Sequence, residues 1–444
     1  MKKTIAILLS VSCLFGLNSC FKTEDDIFAD SPAQRLNKLE SNYREVLSSA
    51  TDGWVLQYFA SEEEQGYPFI MKFDKTGMVT IAGNNSESTG NAYKEEASTY
   101  DFVQDMSVVL TFDTYNSILH EFSAPSTDGV GHGGDYEFQV QGVSENQDTV
   151  YLMGKKTYIP MRLVRFPKGS TYTDKTGKQS TINEWKDYFD AIKANTDRLF
   201  LAGIGDYTLT AAGETYDAEG LASGVMILSP HGIDEKELAS RTQYRGVIVN
   251  LDNSIYLSSP FTGENNKFSV RSLHMSSDNT MMASPDGTVQ LNAPSIESDL
   301  MAASVSWIIN PESLSAKLKP LYDAAVAGAA ARNRTLQVGY KYDLKTEKYC
   351  IVVNLLQKGS TKPSVALYYT DGTVAADGTF TYTADGSGDR NAASYGQNVA
   401  GLLDFVKALS GSYTVTAQTP FTPVMLTFVD KADASNTFKA DYNY

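Results

Sequence analysis

Short apolar runs that alternate with polar residues dominate the chain from Trp54 onward. Alternation with a period of two is typical of a strand with one buried face. The runs 69–73 and 78–81 are separated by the turn sequence Asp74-Lys75-Thr76-Gly77, which predicts a β-hairpin. Residues 54–166 are therefore predicted to be mostly antiparallel β. The remaining runs of this region are 54–59, 107–113, 135–141, 149–153 and 161–166.

Two segments of the first half have apolar residues at helical spacing instead. Ser31-Pro32 combines an N-cap residue with proline at the first helical position, and the pattern after it predicts a helix that runs towards Asp52-Gly53. The sequence 181–184 fits a capping box and predicts a second helix that ends near Asn195. This second helix is expected to separate two β-rich halves.

The second half of the chain mixes strands and helices. Asn310-Pro311 predicts the start of a helix, with a kink or break at Pro320. A further helix is predicted over 399–411, with Gly411 as a left-handed C-cap. Asp-Gly-Thr-Val occurs at both Asp286 and Asp371, which is weak evidence for an internal repeat. Strand-like runs lie at 206–210, 224–228, 244–251, 267–275, 288–291, 335–343, 349–356, 365–369, 413–417, 424–428 and 438–442.

These patterns predict an α+β protein, mainly antiparallel β, with barrel- or sandwich-like sheets and a few amphipathic helices. The length of 444 residues favours two domains plus a short extension. We predict a signal peptide at 1–19, an acidic tether at 20–30, an N-terminal β-rich domain at 31–198 and a C-terminal α+β domain at 199–444.

Composition and charge restrict the partners. Apolar residues make up 42% and charged residues 20% of the chain, which is ordinary for a globular protein. With 37 Lys+Arg against 53 Asp+Glu, the formal charge is −16. Such an acidic surface repels phosphate backbones, so nucleic acid is not expected as a partner. The 3 cysteines exclude a disulfide-rich scaffold, and no C-x-x-C motif suggests zinc or a redox dithiol.

The N-terminus carries an export signal. Met1-Lys2-Lys3 is followed by the apolar stretch 5–17, which is too short for a stable span, and then by Leu17-Asn18-Ser19-Cys20. This segment resembles a bacterial lipoprotein signal, which implies lipid attachment at Cys20 and a membrane as partner. The acidic cluster 24–26 resembles the signal that exports lipoproteins of Bacteroidota to the outer face of the outer membrane; a solvated tether is the alternative.

Candidate chemistry concentrates between residues 110 and 140. His120, Glu121, His132, Asp135 and Glu137 have nitrogen and oxygen ligands of the type that bind metals, but H-E-x-x-H is absent. Asp135 and Glu137 would share one face if 135–139 is a strand, as an acid/base pair would. The alternatives are a ligand-contacting glycine-rich loop around His132 and a structural hairpin connection. Tyr115 and Tyr136 add flat faces that can stack on sugars.

Three other features have plainer interpretations. Cys350 lies in the apolar run 349–353, which favours a buried core residue over a nucleophile. The loop 385–389 has the early oxygens of a calcium loop, but the twelfth position is Gly396 rather than glutamate. No G-x-S-x-G motif supports a serine hydrolase.

The segments 110–120 and 133–138, together with Gly53-Trp54, 67–69 and Phe73-Asp74, resemble a family of uncharacterised Bacteroidota surface lipoproteins that is defined as a domain of unknown function. The resemblance covers roughly residues 30–200. It implies an envelope protein encoded beside outer-membrane importers of the starch-utilisation type, their binding lipoproteins and zinc peptidases. It carries over no catalytic residues, and its functional content is an association.

Together these observations favour a non-enzymatic binding or accessory component of a nutrient acquisition system on the cell surface. The expected ligand is a glycan, a peptide or the importer itself, with no cofactor and no metal. One alternative is an envelope hydrolase that uses carboxylates such as Asp113, Asp135 and Glu137. The other alternative is a structural or adhesive surface protein.

Overall fold

The structure is a computed structural model. It describes residues 31–105, 107–124, 131–174, 177–200, 206–302 and 305–443. The signal peptide, the tether and the lipid attachment at Cys20 are predictions that lie outside the described residues. None of the helices within these ranges combines the length and the apolar character needed to traverse a lipid bilayer.

The strands of the first half form one antiparallel sheet, which we call sheet 1. Its strands are β1 (Trp54–Tyr58), β2 (Tyr67–Phe73), β3 (Met78–Gly83), β4 (Lys94–Thr99), β5 (Asp101–Gln104), β6 (Val108–Thr111), β7 (Glu137–Val143), β8 (Thr149–Gly154) and β9 (Pro160–Arg165). Their order is β4-β3-β2-β1-β9-β8-β7-β6-β5. The edge strands β4 and β5 are consecutive in the chain and are separated only by Tyr100.

Helices pack on both faces of sheet 1. They are α1 (Pro32–Ser49), α2 (Ser86–Thr89), α3 (Ser117–His120) and, after the two-stranded hairpin β10 (Thr171–Thr173) and β11 (Gln179–Thr181), α4 (Trp185–Leu199). On the inner face, Val46 and Leu47 of α1 join the core built around Trp54. On the outer face, Tyr188 and Phe189 of α4 cover Val55. Both faces of β1 are consequently buried.

A closed eight-stranded antiparallel barrel follows. Its strands, each hydrogen-bonded to the next, are β12 (Tyr207–Ala211), β13 (Glu214–Glu219), β14 (Val225–Pro230), β15 (Gln243–Val249), β16 (Ser254–Thr262), β17 (Ser269–Met275), β18 (Met281–Ala283) and β19 (Val289–Asn292). Pairing of β12 with β19 closes the barrel, with Leu209 opposite Leu291. Helix α5 (Glu235–Arg241) lies between β14 and β15, and short 3-10 turns span Leu221–Ser223 and Glu264–Asn266.

The last part of the chain forms sheet 2. Its strands are β20 (Ser306–Ile309), β21 (Arg334–Asp343), β22 (Lys348–Gln357), β23 (Ser364–Tyr369), β24 (Thr373–Val374), β25 (Thr379–Tyr382), β26 (Gly411–Ala417), β27 (Met425–Asp430) and β28 (Thr437–Asn443). Its helical segments are α6 (Ile296–Met301), the 3-10 turn Pro311–Ser313, α7 (Lys319–Ala330), α8 (Arg390–Asn398) and α9 (Leu402–Ala408).

Sheet 2 repeats the strand order of sheet 1. Its order is β23-β22-β21-β20-β28-β27-β26-β25-β24. The first strand of sheet 2, β20, corresponds to β1, and the later strands correspond in turn. A tryptophan near the start of the first strand marks the equivalence. The indole nitrogen of Trp54 donates to the carbonyl of Leu47 in α1 at 2.8 Å, and that of Trp307 donates to the carbonyl of Asp299 in α6 at 2.9 Å. The chain therefore contains two copies of one topology, with the barrel between them.

Sheet 1 and the barrel are joined through backbone contacts. The carbonyl of Glu62, in the β1–β2 loop, accepts hydrogen bonds from the backbone of Gly246 and from the hydroxyl of Ser258, both at 2.7 Å. A side chain at position 246 would place its Cβ 1.9 Å from the carbonyl oxygen of Glu64, so only glycine permits this approach. The join fixes the outer face of sheet 1 against the barrel.

An aromatic side chain of the sheet 2 region packs into the barrel. Phe421, in the β26–β27 loop, is fully buried in the barrel core, with its ring centroid 4.8 Å from that of Tyr207. The hydroxyl of Tyr207 donates to the carbonyl of Phe421 at 3.3 Å. Residues 199–444 thus contain two β units, the barrel and sheet 2, each with its own apolar core.

The predicted fold class, mainly antiparallel β with a few helices, is confirmed. The helix predicted to start at Asn310-Pro311 begins instead at Lys319, after a 3-10 turn at Pro311–Ser313, so Pro320 lies in the first turn of α7 and does not break a helix. Two helix ends were predicted wrongly. Gly411 is the first residue of β26 rather than a C-cap. The capping box of α4 joins Glu184 and Asp187, because the chain at 179–181 is still a strand.

Candidate functional site

His120 has a structural position. It is 5% exposed at the end of α3, and its Nδ1 lies 3.1 Å from the backbone nitrogen of Asn116. Its ring stacks on Tyr136 with centroids 5.0 Å apart and lies 5.2 Å from the ring of Tyr115. Burial lowers the pKa of His120, which favours the neutral imidazole. Tyr115, His120 and Tyr136 therefore form one aromatic stack.

Asp135 and Glu137 hold the turn between β8 and β9. Asp135 is 3% exposed, and its carboxylate accepts backbone hydrogen bonds from Lys156 at 2.6 Å and Thr157 at 3.0 Å. It also accepts a hydrogen bond from the hydroxyl of Thr157. Glu137 pairs with Lys155 at 3.3 Å. Strand β7 begins only at Glu137, so the two carboxylates do not share a strand face.

His132 links two carboxylates. Its Nδ1 lies 2.9 Å from Glu64 and its Nε2 lies 3.3 Å from Glu87. Because the two acids contact opposite ring nitrogens, they do not converge on one point with the imidazole. Within the described residues, no three His, Cys, Asp or Glu side chains are placed to hold a metal ion. His132 thus fastens the β1–β2 loop to α2.

Two further sequence candidates have local structural roles. Cys350 is fully buried, and burial raises the pKa of its thiol to about 12, so it is protonated at neutral pH. In the loop 385–389, the carboxylate of Asp385 accepts a hydrogen bond from the backbone N–H of Ser387 at 2.7 Å. Asp389 caps α8 by accepting a hydrogen bond from the backbone N–H of Ala392 at 2.7 Å. Their oxygens stabilise a turn and a helix end.

A cavity of about 590 Å³ lies elsewhere, where the outer face of sheet 1 meets α4 and the barrel. We call it the interdomain cleft. None of the six residues predicted as ligand contacts lines it. Its walls come from β1, β8, β9, the segment 167–171, α4, the β15–β16 turn and β17. The lining residues are Val55, Gln57, Thr149, Arg162, Val164, Arg165, Pro167, Ser170, Thr171, Tyr188, Asn250, Leu251, Asp252, Ser254, Ser272 and His274.

Buried amides fix the floor of the interdomain cleft. Gln57 is 3% exposed, and its Nε2 donates to the side-chain oxygen of Asn250 at 2.5 Å. Its Oε1 accepts from Nε of Arg162 at 2.6 Å. From α4, Asn195 donates to the carbonyl of Asn250 at 2.6 Å. A buried amide that is fully hydrogen-bonded has one orientation, so the network holds sheet 1, the barrel and α4 in one arrangement.

Two arginines enclose a tyrosine beside this floor. The guanidinium carbon of Arg162 lies 3.9 Å from the ring centroid of Tyr256, and that of Arg271 lies 4.5 Å from it. Arg271 donates to the carbonyls of Pro160 at 2.5 Å and Ser258 at 3.1 Å, which ties β9 to β16. The cleft therefore combines apolar surface with hydrogen-bonded polar groups and has a cationic wall.

A second cavity, of about 550 Å³, lies between the barrel and α6. Acidic side chains line it, including Asp206, Asp217 and Glu297, and the imidazole of His231 lies 2.7 Å from Asp217. Nearby Asp299 is 1% exposed, and neither of its carboxylate oxygens has a hydrogen-bond partner in the described parts of the chain. Burial, with a smaller contribution from Asp206, raises the pKa of Asp299 to about 8.

Little in the sequence points to the interdomain cleft. Gln57 and Arg162 are ordinary polar residues within strands, and only the pairing of β1 with β9 places them opposite each other. The one available hint was that polar residues interrupt strands that are otherwise apolar. Their contacts with Asn250 and Tyr256 depend on how the barrel docks, which a periodicity cannot show.

Comparisons with known proteins identify a family. The chain matches a family model over residues 24–272, more than half of its length, and the description of that family is "Domain of unknown function (DUF4302)". No curated protein matches the chain. The matched range covers sheet 1, α4 and the barrel as far as β17, and it includes every lining residue of the interdomain cleft except His274.

Proposed function

Because this chain belongs to the family described as a domain of unknown function, DUF4302, we propose that the function of the matched unit is to bind a ligand in the interdomain cleft. We further propose that the chain is a lipid-anchored protein on the outer face of the outer membrane, where it serves as a binding component of a glycan or peptide acquisition system. The cleft is the single observation that carries the binding function.

Three properties of the interdomain cleft support ligand binding. Its volume of about 590 Å³ falls within the range of small-molecule sites. Its polar groups are held by buried hydrogen bonds such as that between Gln57 and Asn250. Tyr188 and the alkyl groups of Val55 and Val164 provide apolar contact area among the polar residues. A preformed site of this kind loses little conformational entropy when it binds.

The hydrolase alternative has less support. Asp135 accepts three hydrogen bonds from the segment 156–157, Glu137 is paired with Lys155, and Asp113 accepts the hydroxyl of Thr111 at 2.7 Å. A general acid or base must reach the substrate with its carboxyl group. Asp135 and Glu137 are instead engaged within the protein, whereas Asp113 is exposed and only its Oδ1 accepts a hydrogen bond.

The binding function is tested with the full chain in detergent and a panel of oligosaccharides and short peptides, by isothermal titration calorimetry. Thr171→Trp places a large side chain at an exposed position of the cleft wall and should weaken binding of any panel ligand at least tenfold. Ser240→Trp, on the exposed helix α5 away from the cleft, is the matched control and should bind as the unmodified chain does. Equal binding by both variants would contradict the proposal.

The anchor is tested separately by membrane fractionation. Cys20→Ala should move the protein from the membrane to the soluble fraction, whereas Cys13→Ala, within the predicted signal, should not. If the protein faces the exterior, protease added to intact cells should digest it. Digestion only after lysis would show that the acidic segment 24–26 was misinterpreted.

A further inference from the structure

We infer that the interdomain cleft recognises a carboxylate group of its ligand and that Arg162 is the residue that binds it. The inference rests on the proposed binding function and specifies the ligand chemistry. It concerns a small organic acid of one or two sugar rings or amino acids, because a cavity of about 590 Å³ accommodates that size.

The guanidinium of Arg162 is fixed but only partly used. Its Nε donates to Gln57 at 2.6 Å, and its plane packs over Tyr256. Neither terminal nitrogen has a hydrogen-bond partner within the described residues, although the side chain lines the cleft. Two parallel N–H groups on a guanidinium match the two oxygens of a carboxylate, and the stacking contact has already restricted the rotamers.

The neighbouring arginines differ from Arg162 in this respect. Arg165, which also lines the cleft, donates to the hydroxyl of Ser49 at 2.9 Å and lies 3.4 Å from Asp148. Arg271 donates only to backbone carbonyls, one of them that of Leu257 at 3.2 Å. Of the three guanidinium groups near the cleft, Arg162 is the one in which neither terminal nitrogen has a hydrogen-bond partner in the described parts of the chain.

The local charge also favours an anion. Arg162 and Arg271 lie on one tyrosine ring, and no carboxylate of the described chain lies within 4.0 Å of either guanidinium. Asp252, which also lines the cleft, accepts the hydroxyl of Ser254 at 2.6 Å. A bound carboxylate would supply the missing counter-charge in a partly desolvated site.

Polar groups around Arg162 would contact the rest of the ligand. Hydroxyls of Thr149, Ser170, Thr171 and Ser272 line the same cavity. They suit either the hydroxyls of an acidic sugar or the amides of a peptide that ends in a free carboxylate. Both sources share the chemistry that Arg162 recognises, so the experiment includes one pair of probes for each.

The test measures binding of matched acid and neutral probes to the full chain in detergent. The sugar pair is digalacturonate and digalactose, and the peptide pair is N-acetyl-dialanine and its C-terminal amide. At least one acid should bind about tenfold more tightly than its neutral partner, and Arg162→Gln should remove that preference. The pair that shows the preference identifies the source of the carboxylate.

Two variants separate recognition from general charge. Arg162→Lys keeps the positive charge but loses the two parallel donors, so its preference for the acid should be intermediate. Arg332→Gln removes an exposed cation outside the cleft, just after α7, and it should change the affinity less than about threefold. Thermal melting of each variant shows whether the fold is intact. An Arg162→Gln chain that melts normally but binds the acid as before would overturn the inference.

The outcomes distinguish the two proposals. If a neutral glycan or an amidated peptide binds, Thr171→Trp abolishes that binding and neither acid is preferred, the binding function stands and the carboxylate inference fails. If acid and neutral probes all fail to bind, the inference also fails. Binding that Thr171→Trp leaves unchanged places the ligand outside the cleft and contradicts the proposed function itself.

Discussion

Sheets 1 and 2 share one strand order but differ in what covers their outer faces. All five residues of β1 are buried, because the core lies on one side and α4 with the barrel lies on the other. In β20, buried residues alternate with partly exposed ones, which is the pattern of a strand with one covered face. Because both sheets have the same strand order, that order alone does not create the interdomain cleft. The cleft exists because α4 and the barrel cover the outer face of sheet 1.

The same register carries different chemistry in the two sheets. Gln57 lies opposite Arg162 across β1 and β9, and Asn310 lies opposite Lys439 directly after β20. Gln57 is buried between the barrel and Arg162, whereas Asn310 donates to Asp441 at 3.2 Å and Lys439 is exposed. An amide and a cation thus recur at one position of the topology, but only sheet 1 encloses them in a cavity.

The largest expected effect on stability tests whether the equivalent tryptophans stabilise sheet 1 and sheet 2 equally. Trp54→Ala and Trp307→Ala each remove a fully buried indole and its hydrogen bond to a helix carbonyl, and each should lower the free energy of unfolding by about 4 kcal/mol. Trp→Phe at either site removes the N–H and part of the volume, and should cost less. Urea unfolding measures both. A large loss at one site and none at the other would break the equivalence.

The next effect concerns the residue that accepts the indole hydrogen bond. In sheet 1 it is the apolar Leu47, and in sheet 2 it is Asp299, whose buried carboxyl has a pKa of about 8. Between about pH 4 and pH 8 the unfolded chain releases this proton while the folded chain retains it, so stability should fall as pH rises through that window. Asp299→Leu should therefore stabilise the protein at pH 7 by on the order of 3 kcal/mol.

Unfolding in urea at pH 5, 7 and 9 checks this. The difference between Asp299→Leu and the unmodified chain should be small at pH 5 and should level off above pH 8. Gln397→Leu, at an exposed position of helix α8, is a control that removes no ionisable group, so its difference from the unmodified chain should not change with pH. A constant difference at every pH would mean that Asp299 is ionised in the folded protein.

The smallest effect compares the equivalent amides. Gln57→Ala leaves the Oδ1 of Asn250 and the Nε of Arg162 without the hydrogen bonds to Gln57 and should cost about 2 kcal/mol, whereas Asn310→Ala affects a half-exposed site and should cost about 1 kcal/mol. Only Gln57→Ala should also weaken ligand binding. Equal binding by the two variants would show that the position of Arg162 does not depend on Gln57.

Local patterns were sufficient for the fold class but not for the repeat. Period-two alternation located most strands of both sheets, since most strands have a buried and a more polar face, although β1 and β6 are buried throughout. The repeated Asp-Gly-Thr-Val sequences do not mark equivalent positions, because Asp286 lies in the barrel between β18 and β19 and Asp371 lies between β23 and β24. What the two copies share is the order of pairing, which depends on contacts between distant residues.

The ligand-contact residues predicted from the sequence also lie outside the interdomain cleft. His120, His132, Asp135 and Glu137 are the residue types of active sites, but their partners, such as Thr157 and Glu64, are distant in sequence. Whether a carboxylate is free or occupied depends on those partners. Arg162 has no conspicuous sequence context, and its unused donors become visible only when Gln57 and Tyr256 are in place.

The strand order of the two sheets also has a consequence for solubility. An open sheet normally exposes two unpaired edges that can recruit strands of other molecules. Here β4 and β5 are consecutive, as are β23 and β24, so the two edges of each sheet are held side by side by a short connection. Strand β4 carries Lys94, Glu95 and Glu96, and β24 is only two residues long. A chain with two large sheets is thereby protected against intermolecular β-pairing at high local concentration.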